Sequence, residues 1–371
     1  MIGPSASSRQ VPALDGIRGI AIFAVVLHNA TGIALAPSSR WLHVFPLVSS
    51  RGWIGVQLFF ALSGFLITAG LLDSQHGRHY FRNFYAKRAL RILPLYYSVL
   101  LVLLVVVPHF IGKVPYSLDH QAPLWLFIGN WTHSFPYGFS HFWSLAVEEQ
   151  FYLVWPLIVW KLAAPRLLSA CLWIAVGALL LRSVLAALGI DWWTIYSNTA
   201  CRMDALALGG AAACLLRIPA LKAAACKRQS QLLGAALLVF LAGIPLTHMY
   251  DNGRWTGETF GYSLLAVSSG AFVLWAAIAD AGPSHRAVRL LSWAPLRSVG
   301  RYSYAIYIFH NLLHWLVGVP WLSARFGNLP ALPIVFLYAL TVFAASYVAA
   351  VCSWHGLEKP FLKLKRFFEG R

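Results

Sequence analysis

The stretch 13-ALDGIRGIAIFAVVLHN-29 decides the fold class, because it is apolar enough to enter a membrane and yet carries three ionisable side chains. A membrane-spanning helix needs about 20 predominantly apolar residues. Asp15 and Arg18 lie in the opening turns of this run, and His28 lies near its far end. Ionisable residues inside a span are costly and mark a functional site by default.

The composition extends the membrane interpretation to the whole chain. Of its 371 residues, 59% are hydrophobic and only 11% are charged, and the mean hydropathy is +0.66. A soluble domain carries about a quarter charged residues. The sequence therefore predicts an all-α integral membrane protein, a bundle of about ten transmembrane helices. The predicted spans are residues 12–31, 53–72, 91–110, 142–161, 167–188, 199–216, 231–248, 260–280, 302–318 and 332–352.

The net charge of +17 indicates orientation rather than nucleic acid binding. With both termini in the cytoplasm, most of the 29 Lys and Arg residues fall in cytoplasmic loops, from Arg9 near one end to Arg371 at the other, as the positive-inside rule requires. The outer loops receive Arg40, Arg51, Lys113, Arg254 and Arg325. No nucleic acid partner is expected, since no basic face is interleaved with aromatic residues on a soluble module.

No soluble domain or internal repeat is visible along the chain. Residues 1–371 predict a single transmembrane domain, and residues 353–371 predict a basic cytoplasmic tail at the membrane surface. The five cysteines contain no CxxC pair, so neither a zinc site nor a disulfide framework is indicated.

Two spans bring a histidine and a carboxylate to the outer half of the membrane. Histidine has the side chain that exchanges protons most easily near neutral pH, and His28 lies in the outer part of the first predicted span. Glu148 and Glu149 lie in the fourth span, and adjacent helical residues point about 100° apart, so only one of them faces His28. Such a carboxylate would orient the imidazole and stabilise its charged form. The alternative is a buried polar network that includes Trp143 and Gln150.

Other polar residues inside spans leave two interpretations open. Asp15 and Arg18 are three residues apart and share a helix face, so they predict either a structural ion pair or a catalytic role. Arg202 and Asp204 lie near the outer end of the sixth span and face different directions. Ser63 either lines the path of an acyl group or packs helices together.

The ninth span carries His310 in mid-membrane and His314 one turn outward on the same face. This spacing is compatible with a metal pair. No acid stands nearby in sequence, and no metal is expected.

A basic segment precedes the third span and includes Lys87, Arg88 and Arg91. Most basic residues at such a position anchor the helix at the cytoplasmic surface. The cluster also suits an anionic cofactor such as a nucleotide diphosphate.

Seven segments, spread over nearly the whole chain, resemble the acyltransferase-3 family of membrane O-acyltransferases. They are 14-LDGIRGIAI-22, 59-FFALSGFLI-67, 84-FYAKRALRILPLYY-97, 142-FWSLAVEEQFYLVWP-156, 202-RMDALALGG-210, 299-VGRYSYAIYIFHN-311 and 353-SWHGLEKPFLK-363. The resemblance implies a ten-helix protein of the bacterial inner membrane that moves an acyl group, usually acetyl, from cytoplasmic acetyl-CoA to a sugar hydroxyl. The implied acceptor is a cell-envelope polysaccharide, a lipid-linked glycan or another glycosylated molecule.

The resemblance also assigns roles to residues. Arg18 and His28 match the family's Arg–His pair, Glu148 matches its span-four acid, and Lys87, Arg88 and Arg91 match its donor-contacting basic triplet. Nine residues separate Arg18 from His28, one fewer than is usual in the family. Some relatives carry an additional esterase-like domain, which is not expected in this chain.

We therefore expect a membrane O-acyltransferase in which His28, oriented by Glu148, deprotonates the acceptor hydroxyl. Arg18 and Asp15 complete the predicted catalytic group. The predicted substrate-binding residues are Ser63, Trp143, Arg202, Asp204 and His310. The donor reaches His28 either through a deeply inserted pantetheine arm or through an acyl-enzyme, and the sequence favours neither.

Two other functions fit the same residues. One is a proton-coupled exporter of a sugar or lipid-linked glycan, since intramembrane His and Glu residues suit proton relays. Many transporters show repeated halves, and none is visible here. The other is a structural subunit of an envelope-synthesis complex, which would tolerate substitution of His28 and Glu148.

Overall fold

A computed structural model describes most of the chain, in six segments. These are residues 11–31, 49–111, 117–132, 135–281, 286–326 and 332–368. The predicted loop charges at Arg9, Arg40, Lys113 and Arg371 lie outside these segments.

The regular structure of the six segments is entirely helical. The first eight α-helices are α1 (Pro12–Thr31), α2 (Ile54–Ser74), α3 (Tyr80–Leu101), α4 (Val107–Phe110), α5 (Leu118–Trp125), α6 (Gly129–Thr132), α7 (Trp143–Lys161) and α8 (Ala164–Ala187). The remaining ones are α9 (Trp192–Ser197), α10 (Thr199–Leu215), α11 (Pro219–Lys227), α12 (Gln229–Leu246), α13 (Tyr262–Ala279), α14 (Arg286–Leu291), α15 (Ala294–Arg301), α16 (Ser303–Leu313), α17 (Val319–Phe326), α18 (Leu332–Ser353) and α19 (Lys359–Lys363).

Short stretches of other helix types join several of these α-helices without a break. Four are π-helical: Val102–Val106, Gly257–Gly261, His314–Gly318 and Trp354–Glu358. Two are 3₁₀-helical: Ser140–Phe142 and Leu364–Phe368. The wider turn of a π-helix is found mostly as a single-turn bulge, frequently at functional sites.

Eight helical stretches of the described chain are long and apolar enough to cross a membrane, or nine if one sharply bent pair counts as a single span. The bent pair joins Trp192–Leu215 to Pro219–Lys227 at 98°. These stretches confirm the predicted all-α, multi-pass membrane protein. The remaining predicted span corresponds to α7, which has 19 residues and carries Glu148 and Glu149. The cytoplasmic position of the termini stays a prediction.

Two predicted segments extend further than the hydropathy indicated. The third membrane helix begins at Tyr80 rather than at residue 91, and helical structure after α18 continues to Phe368. Lys, Arg, Leu and Ala are strong helix formers, so the helix continues where the apolar character stops. The basic segment and the predicted tail are therefore helical, with residues 369–371 lying outside the described range.

The chain divides into two compact units. Unit 1 comprises Met1–Ala21, Trp53–His76 and Gln150–Arg301. Its centre is the pair α2 and α10, with α8 and α13 packed against them. A Cβ on Gly64 of α2 would lie 1.9 Å from the Leu206 carbonyl oxygen, and one on Gly209 of α10 would lie 2.0 Å from that of Ala61. Small residues of this kind let membrane helices approach closely.

Unit 2 comprises Ile22–Gly52, Gly77–Glu149 and Tyr302–Arg371. Within it α16 packs on α18, and the helical segments after α18 pack on α3. Helices α1 and α7 each contribute residues to both units. The C-terminal part of α1, which contains His28, belongs to unit 2.

Candidate functional site

The imidazole of His28 is held by a backbone carbonyl. Its Nδ1 lies 3.3 Å from the carbonyl oxygen of Ser49. A carbonyl only accepts hydrogen bonds, so Nδ1 carries the proton and Nε2 of the neutral ring carries the lone pair. The side chain is half-buried rather than enclosed. His28 therefore has the tautomer that a general base needs, with its basic nitrogen directed away from its anchor.

A glycine allows the segment that carries Ser49 to approach α1. A Cβ on Gly52 would lie 2.1 Å from the carbonyl oxygen of Ala24 and 2.8 Å from the Cβ of His28. Contacts this short do not occur between real atoms, so only glycine fits without displacing α1. Gly52 thus fixes the approach on which the Ser49–His28 hydrogen bond depends.

His310 lies close to His28 and is held in the same tautomer. Its Nδ1 donates to the carbonyl oxygen of Tyr307 at 2.7 Å, and its Nε2 accepts from Asn29 Nδ2 at 3.3 Å. Asn29 also donates to the carbonyl of Val25, one turn earlier on α1. His310 is fully buried and near enough to His28 to interact electrostatically. His28 and His310 are therefore neighbouring imidazoles of unit 2, and the Nε2 atom of each carries no proton.

A second hydrogen-bonded group, which includes His141 and Asn311, packs against His310. The rings of His141 and His310 lie 5.2 Å apart. His141 Nδ1 accepts from Asn311 at 3.1 Å, and its Nε2 donates to the carbonyl of Ile308 at 3.3 Å. His141 is buried, and an uncharged imidazole suits this enclosed position.

The two glutamates of α7 lie close to each other. Glu149 lies near Glu148 and Arg88 and interacts electrostatically with Tyr97 and Tyr304. The hydrogen bond described for the His28 ring goes to Ser49, not to a carboxylate. The orientation of His28 by Glu148 stays a prediction. Trp143 is buried at the start of α7, and its substrate contact likewise stays a prediction.

The predicted basic triplet lies on one helix and meets the C-terminal segment. Arg91 pairs with Glu358 at 3.5 Å, and its guanidinium lies 5.2 Å from the ring centroid of Trp354. Ser353 donates to the other carboxylate oxygen of Glu358. Lys87 and Arg88 occupy the preceding turn of α3. The triplet is therefore one face of a cluster whose other face comes from the end of the chain.

The other predicted site residues lie in unit 1. Asp15 and Arg18 form an ion pair at 3.3 Å, and both side chains are partly exposed. Helix α1 is α-helical throughout, so no bulge compensates for the short spacing between Arg18 and His28. His28 follows Arg18 by ten residues, which places the two side chains about 80° apart around the helix axis. A separation of eleven residues, as the resemblance to the family implies, would place them about 20° apart. Ser63 lies half-buried within the continuous helix α2.

Arg202 and Asp204 face different partners, as their spacing predicts. Asp204 forms a fully buried ion pair with Arg182 at 2.7 Å. Arg202 is also fully buried, with its guanidinium 4.4 Å from the ring centroid of Tyr262 and 5.0 Å from that of Tyr196. The described partners of both residues are side chains of unit 1. Their assignment to substrate binding stays a prediction.

Several residues of the site were absent from the sequence-based prediction. Asn29 directly follows His28, and Glu358 lies within the segment 353–363 that resembles the family, so the sequence carried a usable signal for both. Ser49 acts through its backbone carbonyl and Gly52 through its lack of a side chain, so side-chain chemistry in the sequence could not identify either residue. The described residues contain no group of three or more His, Cys, Asp or Glu side chains arranged to hold a metal ion.

Comparison with known proteins finds relatives that are similar over nearly the whole chain. YrhL of Bacillus subtilis, which bears the name of a peptidoglycan O-acetyltransferase, is 29% identical over 95% of this chain and 55% of its own length. The peptidoglycan O-acetyltransferase OatA of Listeria monocytogenes is 25% identical over 96% of this chain and 56% of its own. The O-acetyltransferase OatA of Staphylococcus aureus is 27% identical over 96% of this chain and 58% of its own.

The chain thus spans a little over half the length of these relatives. No solved structure is significantly similar. The family model for the acyltransferase-3 domain matches residues 11–351. This match includes His28, His310 and the basic triplet, and the chain therefore belongs to the acyltransferase-3 family.

Proposed function

We propose that this protein is a membrane O-acetyltransferase that transfers an acetyl group from cytoplasmic acetyl-CoA to a hydroxyl of a cell-envelope glycan. The observation that carries the proposal is the anchoring of His28 Nδ1 by the Ser49 carbonyl, which leaves a basic Nε2 on a half-buried ring. The peptidoglycan O-acetyltransferase names of two relatives point to peptidoglycan as the acceptor. The bacterial inner membrane is the proposed location.

The chemistry follows from the tautomer of His28. Its Nε2 removes the proton from the acceptor hydroxyl as the oxygen attacks the thioester carbonyl. The carbon–sulfur bond breaks, and the proton passes to the departing CoA thiolate, so that the products are an O-acetyl ester and CoA–SH. The Ser49 carbonyl stabilises the transient imidazolium through Nδ1–H, much as a carboxylate does in a catalytic triad.

The surrounding residues supply positioning and charge in this proposal. His310 and Asn29 form the wall of the acceptor site beside His28. Lys87, Arg88 and Arg91 bind the phosphates of the donor, because guanidinium and ammonium groups form charge-assisted hydrogen bonds with phosphate. Arg18 holds negative charge on the donor side.

Sealed vesicles with labelled acetyl-CoA at the cytoplasmic face test the proposal. Loss of label from CoA and gain of label on extracted glycan are followed for the natural protein and for His28→Ala at matched protein levels. Removing a general base lowers the rate by about 10²–10⁴-fold. His109→Ala is the matched control and is expected to retain full activity, because His109 is an exposed histidine at the end of α4.

The result that overturns the proposal is equally specific. If the natural protein leaves acetyl-CoA intact while glycan crosses the membrane, the chain is an exporter. If His28→Ala transfers acetyl groups as fast as the natural protein, His28 is not the base.

A further inference from the structure

A cavity of about 370 Å³ lies among the helices of unit 1. Its lining residues come from α2, α10, α11 and α13, and from Val11 directly before α1. Small-molecule sites have volumes of roughly 300–1,000 Å³, so the cavity is large enough to hold part of a ligand. It lies at the C-terminal ends of α2, α10 and α13, which the distribution of Lys and Arg places at the cytoplasmic face.

Most of the cavity lining is apolar. It includes Phe65 and Leu66 of α2, Ala213 of α10, and Ala277 and Ile278 of α13. Phe65, Ala213 and Ile278 are also buried members of the hydrophobic core of unit 1. Side chains of this kind offer no hydrogen bonds to a polar ligand, so this part of the cavity suits a hydrocarbon chain.

Two cationic side chains, Arg217 and Lys222, line the same cavity. Arg217 pairs with Asp73 and donates to the carbonyl of Ala69, in both cases through Nη2. Lys222 is exposed on α11, and the ion pairs in the described part of the chain do not include it. Cys226 lies one turn after Lys222 and also lines the cavity, so one face of α11 is turned toward it.

The combination of these two features indicates the class of ligand. A lysine on the cytoplasmic surface alone is ordinary anchoring of a membrane protein. An apolar cavity alone would accept any lipid chain. A cavity with apolar walls and two cations fits a hydrocarbon chain that is joined to a negatively charged head group. Basic pockets between membrane helices on the cytoplasmic side bind anionic lipid head groups in this way.

We propose that this cavity binds an anionic phospholipid of the surrounding membrane. The phosphate of the lipid contacts Lys222 and Arg217 through charge-assisted hydrogen bonds, and one acyl chain occupies the apolar part between α2, α10 and α13. The bound lipid joins α11 to the core of unit 1. This site is separate from the residues of the proposed acetyl transfer, and its occupation does not depend on that reaction.

Lipid binding to the purified full chain tests the assignment. Native mass spectrometry in detergent gives the dissociation constants of phosphatidylglycerol and phosphatidylethanolamine for the natural protein, Lys222→Gln and Lys222→Arg. Loss of one cationic contact is expected to weaken phosphatidylglycerol binding by about fivefold. Arginine keeps the charge and is expected to restore most of the affinity. Lys227→Gln is the matched control, because Lys227 is exposed on the same helix and does not line the cavity.

Three outcomes would overturn the proposal. Equal binding of phosphatidylglycerol and phosphatidylethanolamine by the natural protein would show that no anionic site exists. Equal losses in Lys222→Gln and Lys227→Gln would attribute the preference to the general charge of the surface. Displacement of phosphatidylglycerol by acetyl-CoA would make the cavity a donor site instead of a lipid site.

Discussion

At the scale of single residues, the candidate site depends on backbone carbonyls as much as on charged side chains. The Ser49 and Tyr307 carbonyls fix the proton of His28 and His310 on Nδ1. Both rings therefore keep an Nε2 that carries no proton. A carbonyl anchor carries no net charge, so it avoids the cost of desolvating an ion in the membrane.

Gly52→Ala is expected to lower acetyl transfer by about 10–100-fold, because a displacement of about 1 Å at a catalytic group has effects of this size. The added methyl group would meet Ala24 and His28 of α1 and push Ser49 away from the imidazole. Initial rates in the vesicle assay, at equal amounts of folded protein, measure the effect.

Gly70→Ala is the control for this experiment, since nothing lies within 4 Å of its Cβ position. Equal rates for Gly52→Ala and the natural protein would show that the Ser49 contact does not govern activity.

At the scale of helices, the sequence was a good guide to where spans lie and a weaker guide to where they end. Hydropathy located α1, α2, α8 and α12, because apolar runs of bilayer length have few alternatives in lipid. It placed the start of the third span at residue 91, since hydropathy registers the change of polarity and not the continuing helix. The contact between Arg91 and Glu358, 267 positions apart in the chain, depends on tertiary packing that no local pattern encodes.

Gly64→Ala and Gly209→Ala are each expected to lower the free energy of unfolding by about 1–3 kcal/mol, the usual cost of overpacking. In both cases the obstructing atom is a backbone carbonyl oxygen at the contact of α2 with α10, which cannot rotate away as a side chain can. Thermal unfolding in detergent measures the change.

Gly177→Ala and Gly234→Ala serve as matched helical controls, because nothing lies within 4 Å of either Cβ position. They are expected to be neutral or slightly stabilising, given the higher helix propensity of alanine. Comparable losses in all four variants would attribute the effect to helix chemistry in general rather than to the α2–α10 contact.

At the scale of the whole molecule, the distribution of Lys and Arg predicts the orientation of the chain in the membrane. An exposed cysteine offers a way to measure that orientation. Three cysteines, Cys171, Cys201 and Cys214, are buried, whereas Cys226 and Cys352 are exposed. Cys226 lies on α11, in a basic region predicted to face the cytoplasm. Cys352 lies at the C-terminal end of α18.

In intact cells, a membrane-impermeant maleimide is expected to leave Cys226 unmodified, and permeabilisation is expected to make it react. The reason is the bias of Lys and Arg toward cytoplasmic loops. Mass spectrometry of the Cys352→Ser variant measures the labelling of Cys226 separately.

Arg254→Cys provides the opposite control, since Arg254 is exposed in a loop predicted to face outward. It should react in intact cells without permeabilisation. Labelling of Cys226 in intact cells, with Arg254→Cys protected, would reverse the proposed orientation.

The four π-helical segments in the described part of the chain determine where the protein can lose a residue without disturbing its helices. An α-helix that loses one residue rotates everything beyond the deletion by about 100°, which moves apolar side chains off the lipid-facing side. Inside a π-turn the same deletion shortens the wide turn to an α-turn and leaves both flanking faces in register. Single-residue gaps in natural variation are therefore expected to concentrate at Val102–Val106, Gly257–Gly261, His314–Gly318 and Trp354–Glu358.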